Sequence, residues 1–167
     1  TLENYWRAII LFGKNTASYK FALAKSLIDV SLERKSDLIT LDDLALPYAL
    51  HLAEHLKHSP KQSTAKTSQF IQACQDFNEG KIDEDRLIQI TKKEGFKYVL
   101  DAFHVVNTKA LTERFYDVVN EEFFIDERKF NKGIRLTDNL FKLFYVYDNS
   151  AKDLNQETES RWNLVEK

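Results

Sequence analysis

Apolar positions recur at three- and four-residue intervals along most of this chain, the spacing of amphipathic helices. Thr1 can cap a first helix in which Tyr5, Ile9 and Phe12 share a face, and Gly13 is its natural end. Asn15 or Thr16 opens a second helix running to about Arg34. Ala17, Phe21, Ala24, Leu27 and Ile28 form its inner stripe, while Lys20, Lys25 and Asp29 face water. Thr40 with Asp43 resembles a capping box. Pro47 removes a helical hydrogen bond, so a short turn to Leu46 and a fresh helix over 47–57 are expected. The polar stretch 59–67, with Pro60, reads as a loop. Further helices are expected over 68–79, closed by Gly80; over 84–93, capped by Asp83 and closed by Gly95; over 96–106; and over 112–122.

The period then changes. Residues 123–130 and 134–136, separated by Asn131-Lys132-Gly133, predict a small β-hairpin. Thr137 caps a helix through Tyr147. Its Phe141, Phe144, Tyr145 and Tyr147 are too many for one stripe, so it is expected at the centre of the core. The tail from about Leu154 is helical by pattern and runs to Lys167 without a capping signal, which reads as a connector. The expected fold is mainly α. A multi-helix bundle occupies 1–150 with a winged-helix-like hairpin at 123–136, and 151–167 begins a connecting helix into a further domain.

Composition narrows the function classes. The hydrophobic share of 43% and charged share of 30% suit a globular domain. Four glycines and two prolines are too few for a fold built on many tight turns. A net charge of −2 gives no global attraction to nucleic acid, so any such binding needs a local patch. Cys74 is the single cysteine, which excludes an internal disulfide framework and a cysteine-rich zinc site and points to a reduced, cytoplasmic setting. No apolar run reaches the ~18 residues of a membrane span.

Several short patterns carry possible chemistry. His51-Leu52-Ala53-Glu54-His55 spells H-x-x-E-H, which on a helix can hold zinc with Glu54 as base. Such a site also needs a distant carboxylate, for which Glu121 or Glu122 is available, and solvent-facing histidines are the simpler expectation. Asp117 with Glu127 and Lys129 matches a D…E-x-K arrangement that binds Mg²⁺ in some nucleases, an arrangement that requires a mixed sheet. His104, flanked by Phe103 and Val105, reads as a buried imidazole with one partner, and Cys74 as a core residue. Helices over 84–93 and 96–106 have helix-turn-helix spacing, but the second offers only Lys97, Tyr98 and Asn107 for reading bases.

Two basic stretches remain. Residues 55–75 contain no acid and carry Lys57, Lys61 and Lys66. Residues 128–142 place Arg128, Lys129, Lys132, Arg135 and Lys142 against the single acid Asp138. Arg128, Lys129, Lys132 and Arg135 fall on or near the hairpin tip, where a wing meets phosphates. Lysines also guard sheet edges against aggregation, so both roles stay open.

The stretch 4–28, NYWRAIILFGKNTASYKFALAKSLI, resembles the opening segment of a group of bacterial HNH-type endonucleases. Ala102-Phe103-His104-Val105-Val106-Asn107, Gly133-Ile134-Arg135-Leu136-Thr137-Asp138 and Glu157-Thr158-Glu159-Ser160-Arg161-Trp162 fit the same resemblance. It implies an N-terminal module that holds DNA nonspecifically, or holds a partner or second subunit, in restriction or phage defence. It implies a downstream nuclease domain with a divalent metal, a Cys-x-x-Cys clip and an Asp-His pair. None of those motifs lies in these residues, so this chain is expected to be non-catalytic and cofactor-free by itself. A protein-interaction module without nucleic acid is the alternative.

Overall fold

The computed structural model describes residues 1–12, 18–33, 36–59, 68–105, 122–145 and 150–166. Among these the fold is mainly α, with a three-stranded antiparallel sheet. In chain order the elements are α1 (Leu2–Phe12), α2 (Tyr19–Glu33), β1 (Leu38–Thr40), α3 (Leu41–Leu56), α4 (Gln69–Asn78) and α5 (Glu84–Ile90). A π-helical turn (Thr91–Gly95) and α6 (Val99–Ala102) follow. Then come β2 (Phe124–Glu127), the helical turn α7 (Arg128–Asn131), β3 (Gly133–Leu136), α8 (Asp138–Tyr145) and α9 (Ser150–Glu166). The expected helix over 112–122 lies outside the described residues except for Glu122, which is not helical, and the ends proposed at Gly13, Asn15 and Thr16 lie outside them too.

Local chemistry sets most boundaries. Thr1 accepts from the Asn4 amide, Thr40 from Asp43, Ser68 from Ile71 and Asp83 from Arg86, so four helices begin on a side-chain cap. Gly80 takes φ +74° where the chain leaves α4. Pro47 does not divide the chain as expected: Leu41–Leu56 is one helix with Pro47 inside it. The missing hydrogen bond falls at the Asp43 carbonyl, and Asp43 is exposed, so water can satisfy it.

α2 is the central helix. Its buried positions run all round it, from Lys20 to Ser31, rather than along one stripe. α3, α8 and α9 pack against it. This overturns two expectations. Lys20 does not face water: it is buried, lies 5.2 Å over the Phe21 ring, and its amine is lowered to about 8 by burial and then by Arg161. And α8 is not central: Leu140, Leu143 and Phe144 are buried while Lys142 is exposed. The inner face of α1 likewise differs, with Trp6, Ala8, Ile9 and Ile10 buried and Phe12 exposed.

Aromatic rings lock the elements together. Trp6 meets Phe103, Phe123 and Phe144 edge-on at 5.9, 5.3 and 5.2 Å. Tyr48 stacks on both Phe70 and Phe96, and its hydroxyl donates to the Gly95 carbonyl at 2.8 Å. Cys74 is fully buried, its thiol raised to about 12 by burial, and reads as a packing residue. α9 folds back on the bundle, burying Ala151, Leu154, Thr158 and Trp162.

The sheet has the order β1-β3-β2. The expected hairpin is present as β2 and β3, with Phe124 opposite Leu136 and Glu127 opposite Gly133. Its connection is longer than predicted, because residues 128–131 form a helical turn and Lys132 closes it at φ 56°. β1, which the sequence did not announce, pairs with the other edge of β3, Ile39 opposite Ile134. The close crossing needs glycine at 133: a Cβ there would lie 2.2 Å from the Ile39 carbonyl oxygen.

Candidate nucleic-acid interface

The hairpin tip is built by ion pairs that fix its direction. Arg128 grips both oxygens of Asp126, at 2.9 and 3.0 Å from its Nε. It also reaches the Phe96 carbonyl at 3.1 Å and Asp101 at 2.9 Å. This bidentate hold keeps the Asp126 carboxyl below its usual range and lifts the guanidinium above its own. Arg135 donates to Glu127 at 2.6 Å and to Asp37 at 3.2 Å. Asn131 also donates to Glu127, whose carboxyl is lowered by Arg135 first and Asn131 second. The backbone adds one more tie, from the Leu41 amide to the Lys132 carbonyl at 2.9 Å.

Two of the predicted phosphate-binding cations, Arg128 and Arg135, are therefore engaged in holding the hairpin to the bundle. Lys129 and Lys132 are exposed, and neither has an ion-pair partner among the described residues. Between them Phe130 stands 85% exposed, the most exposed large apolar side chain among the described residues. Through Arg128 the tip sits beside the turn that carries Lys97 and Tyr98. Lys97 is exposed, and Tyr98 is 69% exposed. Lys92, near the same turn, is neutralised by Asp42 at 2.8 Å. Glu94, half-buried, is the acid of this turn.

No protein-family profile, curated protein or solved structure matches this chain. The site must be read from its own geometry.

The other basic stretch is not brought to this face as a group. Lys57 pairs with Glu54 on its own helix at 3.0 Å. Lys61 and Lys66 lie outside the described residues. The helix-turn-helix pair becomes α5, a π-helical turn and the short α6, and Asn107 lies outside the described residues.

The H-x-x-E-H residues do not converge on a common point. His51 meets Asp29 at 2.6 Å, and Glu54 points to Lys57. His55 is not solvent-facing: it is buried, with one ring nitrogen 2.6 Å from Glu159 and the other 2.9 Å from Glu166. It stacks face to face on Trp162, ring centres 3.3 Å apart and planes 6° apart. Burial opposes ionisation of Glu159, yet Lys25 and then His55 hold its carboxyl below the usual range. This cluster fastens α9 to α2 and α3. Lys25, expected to face water, is part of it.

For the D…E-x-K reading, Asp117 lies outside the described residues, and Glu127 is held by Arg135 and Asn131. Glu121 also lies outside them, and Glu122 lends its carbonyl to Thr137. Among the described residues no group of three or more His, Cys, Asp or Glu is placed to hold a metal ion. His104 behaves as expected of a structural imidazole. Its Nε2 accepts from the Phe123 amide at 3.0 Å, it packs among Phe103, Phe123 and Phe124, and burial pushes it down to about 4. Phe130 is the functional candidate that the sequence reading missed. Its signal was an aromatic between two lysines at a hairpin turn.

Among the described residues no helix is long and apolar enough to cross a membrane.

Proposed function

We propose that this chain is a nucleic-acid-holding module whose hairpin tip grips phosphates. The observation that carries the reading is the state of the tip's cations. Every arginine there is paired with acids, whereas Lys129 and Lys132 are exposed and make no ion pair among the described residues. Phosphate binding needs charge free to replace counterions, and lysine supplies it as a point charge. Lys97, on the adjacent turn, extends the basic path. The resemblance to the opening region of HNH-type endonucleases supports the same role: placing DNA for a nuclease domain, with its divalent metal, elsewhere in the protein. Restriction or phage defence, in the cytoplasm, is the setting this implies.

The test is a titration of labelled duplex followed by fluorescence anisotropy over a range of salt. Affinity should fall linearly on a log–log plot with rising salt. Absence of binding at low salt to both the duplex and a single strand of the same length would sink the proposal.

One observation favours a second reading, a protein-interaction or self-association module. A groove of about 720 Å³ runs between α1 and α9, lined by Ile10, Leu11, Arg161 and Leu164. Leu11 and Leu164 are 45% and 60% exposed. Sedimentation equilibrium showing a salt-insensitive dimer, with no binding to duplex, would favour it.

A further inference from the structure

Phosphate contact accounts for the lysines of the tip but not for the phenylalanine between them. Burying a phenylalanine stabilises a protein, and this one is left 85% exposed. It is not left loose. The turn that carries it is closed at both ends, by Arg128 on Asp126 and Asn131 on Glu127, and sealed by Lys132 in the left-handed conformation. The backbone that carries the ring is therefore held in place, with the ring itself exposed to solvent. Tyr98, the second exposed ring, lies on the turn that Arg128 ties to the tip.

Resting on the phosphate reading above, we propose that Phe130, with Tyr98 on the turn tied to the tip through Arg128, is a stacking platform for unpaired bases. The preferred substrate is then single-stranded or frayed nucleic acid rather than intact duplex. Alternating flat rings and free cations match a strand whose bases and phosphates alternate. An intact duplex offers its phosphates to the lysines but keeps its base faces stacked on one another. Phe130 could reach them only by unstacking a base step, which costs free energy that a single strand does not demand. The turn is already ordered by Arg128, Asn131 and Lys132, so its backbone loses little conformational freedom on binding.

The test compares an oligothymidylate with a duplex of the same length, at one low salt concentration, for the intact chain and three variants. Phe130→Ala should weaken binding to the oligothymidylate about ten-fold and leave the duplex unchanged. Phe130→Trp should restore the single-strand affinity. Lys129→Ala with Lys132→Ala should weaken both ligands. The site is solvent-exposed, so far-ultraviolet circular dichroism should show every variant folded. If Phe130→Ala weakens neither ligand while the lysine variant weakens both, the stacking role is overturned and the phosphate role stands. If Phe130→Ala weakens both equally, stacking is again overturned. If the intact chain binds neither ligand, both readings fail, and adhesion to phosphatidylserine vesicles that is lost in Phe130→Ala would make the tip a membrane contact instead.

Discussion

Two charge-rich regions of this molecule use similar residues to opposite ends. Where α9 crosses α2 and α3, Lys25, Asp29, His51, His55, Glu159 and Glu166 satisfy one another. At the hairpin tip the acids satisfy only the arginines, and the lysines are left over. The difference lies in where the partners come from. In the helical crossing, each charged group meets a group from a different helix, so the interaction fastens helices together. At the tip, Asp126 and Glu127 belong to the hairpin itself, so their pairing with Arg128 and Arg135 shapes a turn and leaves its outer rim open. Charge that is fully answered within the fold is structural. Charge that remains unanswered on a fixed, exposed turn is available to a ligand. Buried ion pairs need every member in place, which is why the crossing is expected to be the more fragile region.

The sharpest way to break this comparison is Trp162→Ala. Trp162 is fully buried, stacks on His55 and Phe21, and supports the whole crossing. Its loss should cost about 3–5 kcal/mol in urea denaturation. A change under one kcal/mol would mean that α9 is not fastened as described. The next largest effect separates two kinds of interior histidine, His55 between acids and His104 without them. The folded-state value of about 4 for His104 lies below the unfolded value, so the unfolded chain binds the proton more readily. Stability should therefore fall as pH drops from about 6.5 toward 4, by roughly 2 kcal/mol. His104→Gln should flatten that part of the profile in a thermal melt, and an unchanged profile would remove His104 as its source.

At the tip the effects are on binding rather than stability. Lys129→Ala with Lys132→Ala should leave the melting temperature unchanged and lower duplex affinity about ten-fold. The slope of log affinity against log salt should become shallower by about two. An unaltered slope would show that the tip lysines meet no phosphate. The smallest effect is expected at Lys57, whose partner Glu54 is on the surface one helical turn away. Lys57→Ala should change neither the melt nor duplex affinity measurably. A loss of affinity comparable to the tip variant would move the phosphate-binding face to the 55–75 stretch.

What could be read from the sequence was what depends on near neighbours. The caps at Thr1, Thr40 and Asp83, the turn at Gly80 and the presence of a hairpin within 123–136 each depend on chemistry within a few residues. What could not be read depends on partners far along the chain. His55 looked exposed because its partners Glu159 and Glu166 lie 104 and 111 positions away. Lys25 is paired at a separation of 134. β1 is three residues long and has no alternation to detect, since it exists only by pairing with β3. Pro47 was read by a rule for helix interiors that does not count whether the lost partner carbonyl can meet water. For the candidate site, the basic character of residues 128–135 was legible. Which of its four cations stay free was not, because Asp126 and Glu127 meet Arg128 and Arg135 only in the folded hairpin, where Asp101 and Asp37 join them from elsewhere.

The bond from Arg135 to Asp37 spans 98 positions, and the crossing of Ile39 over Gly133 is as distant. On a ribosome, the first of these strands emerges long before its mate has been made. The protruding turn thus acquires its geometry only after most of the polypeptide has been synthesised, and a translation product interrupted before Gly133 would lack the paired strands as well as α8 and α9.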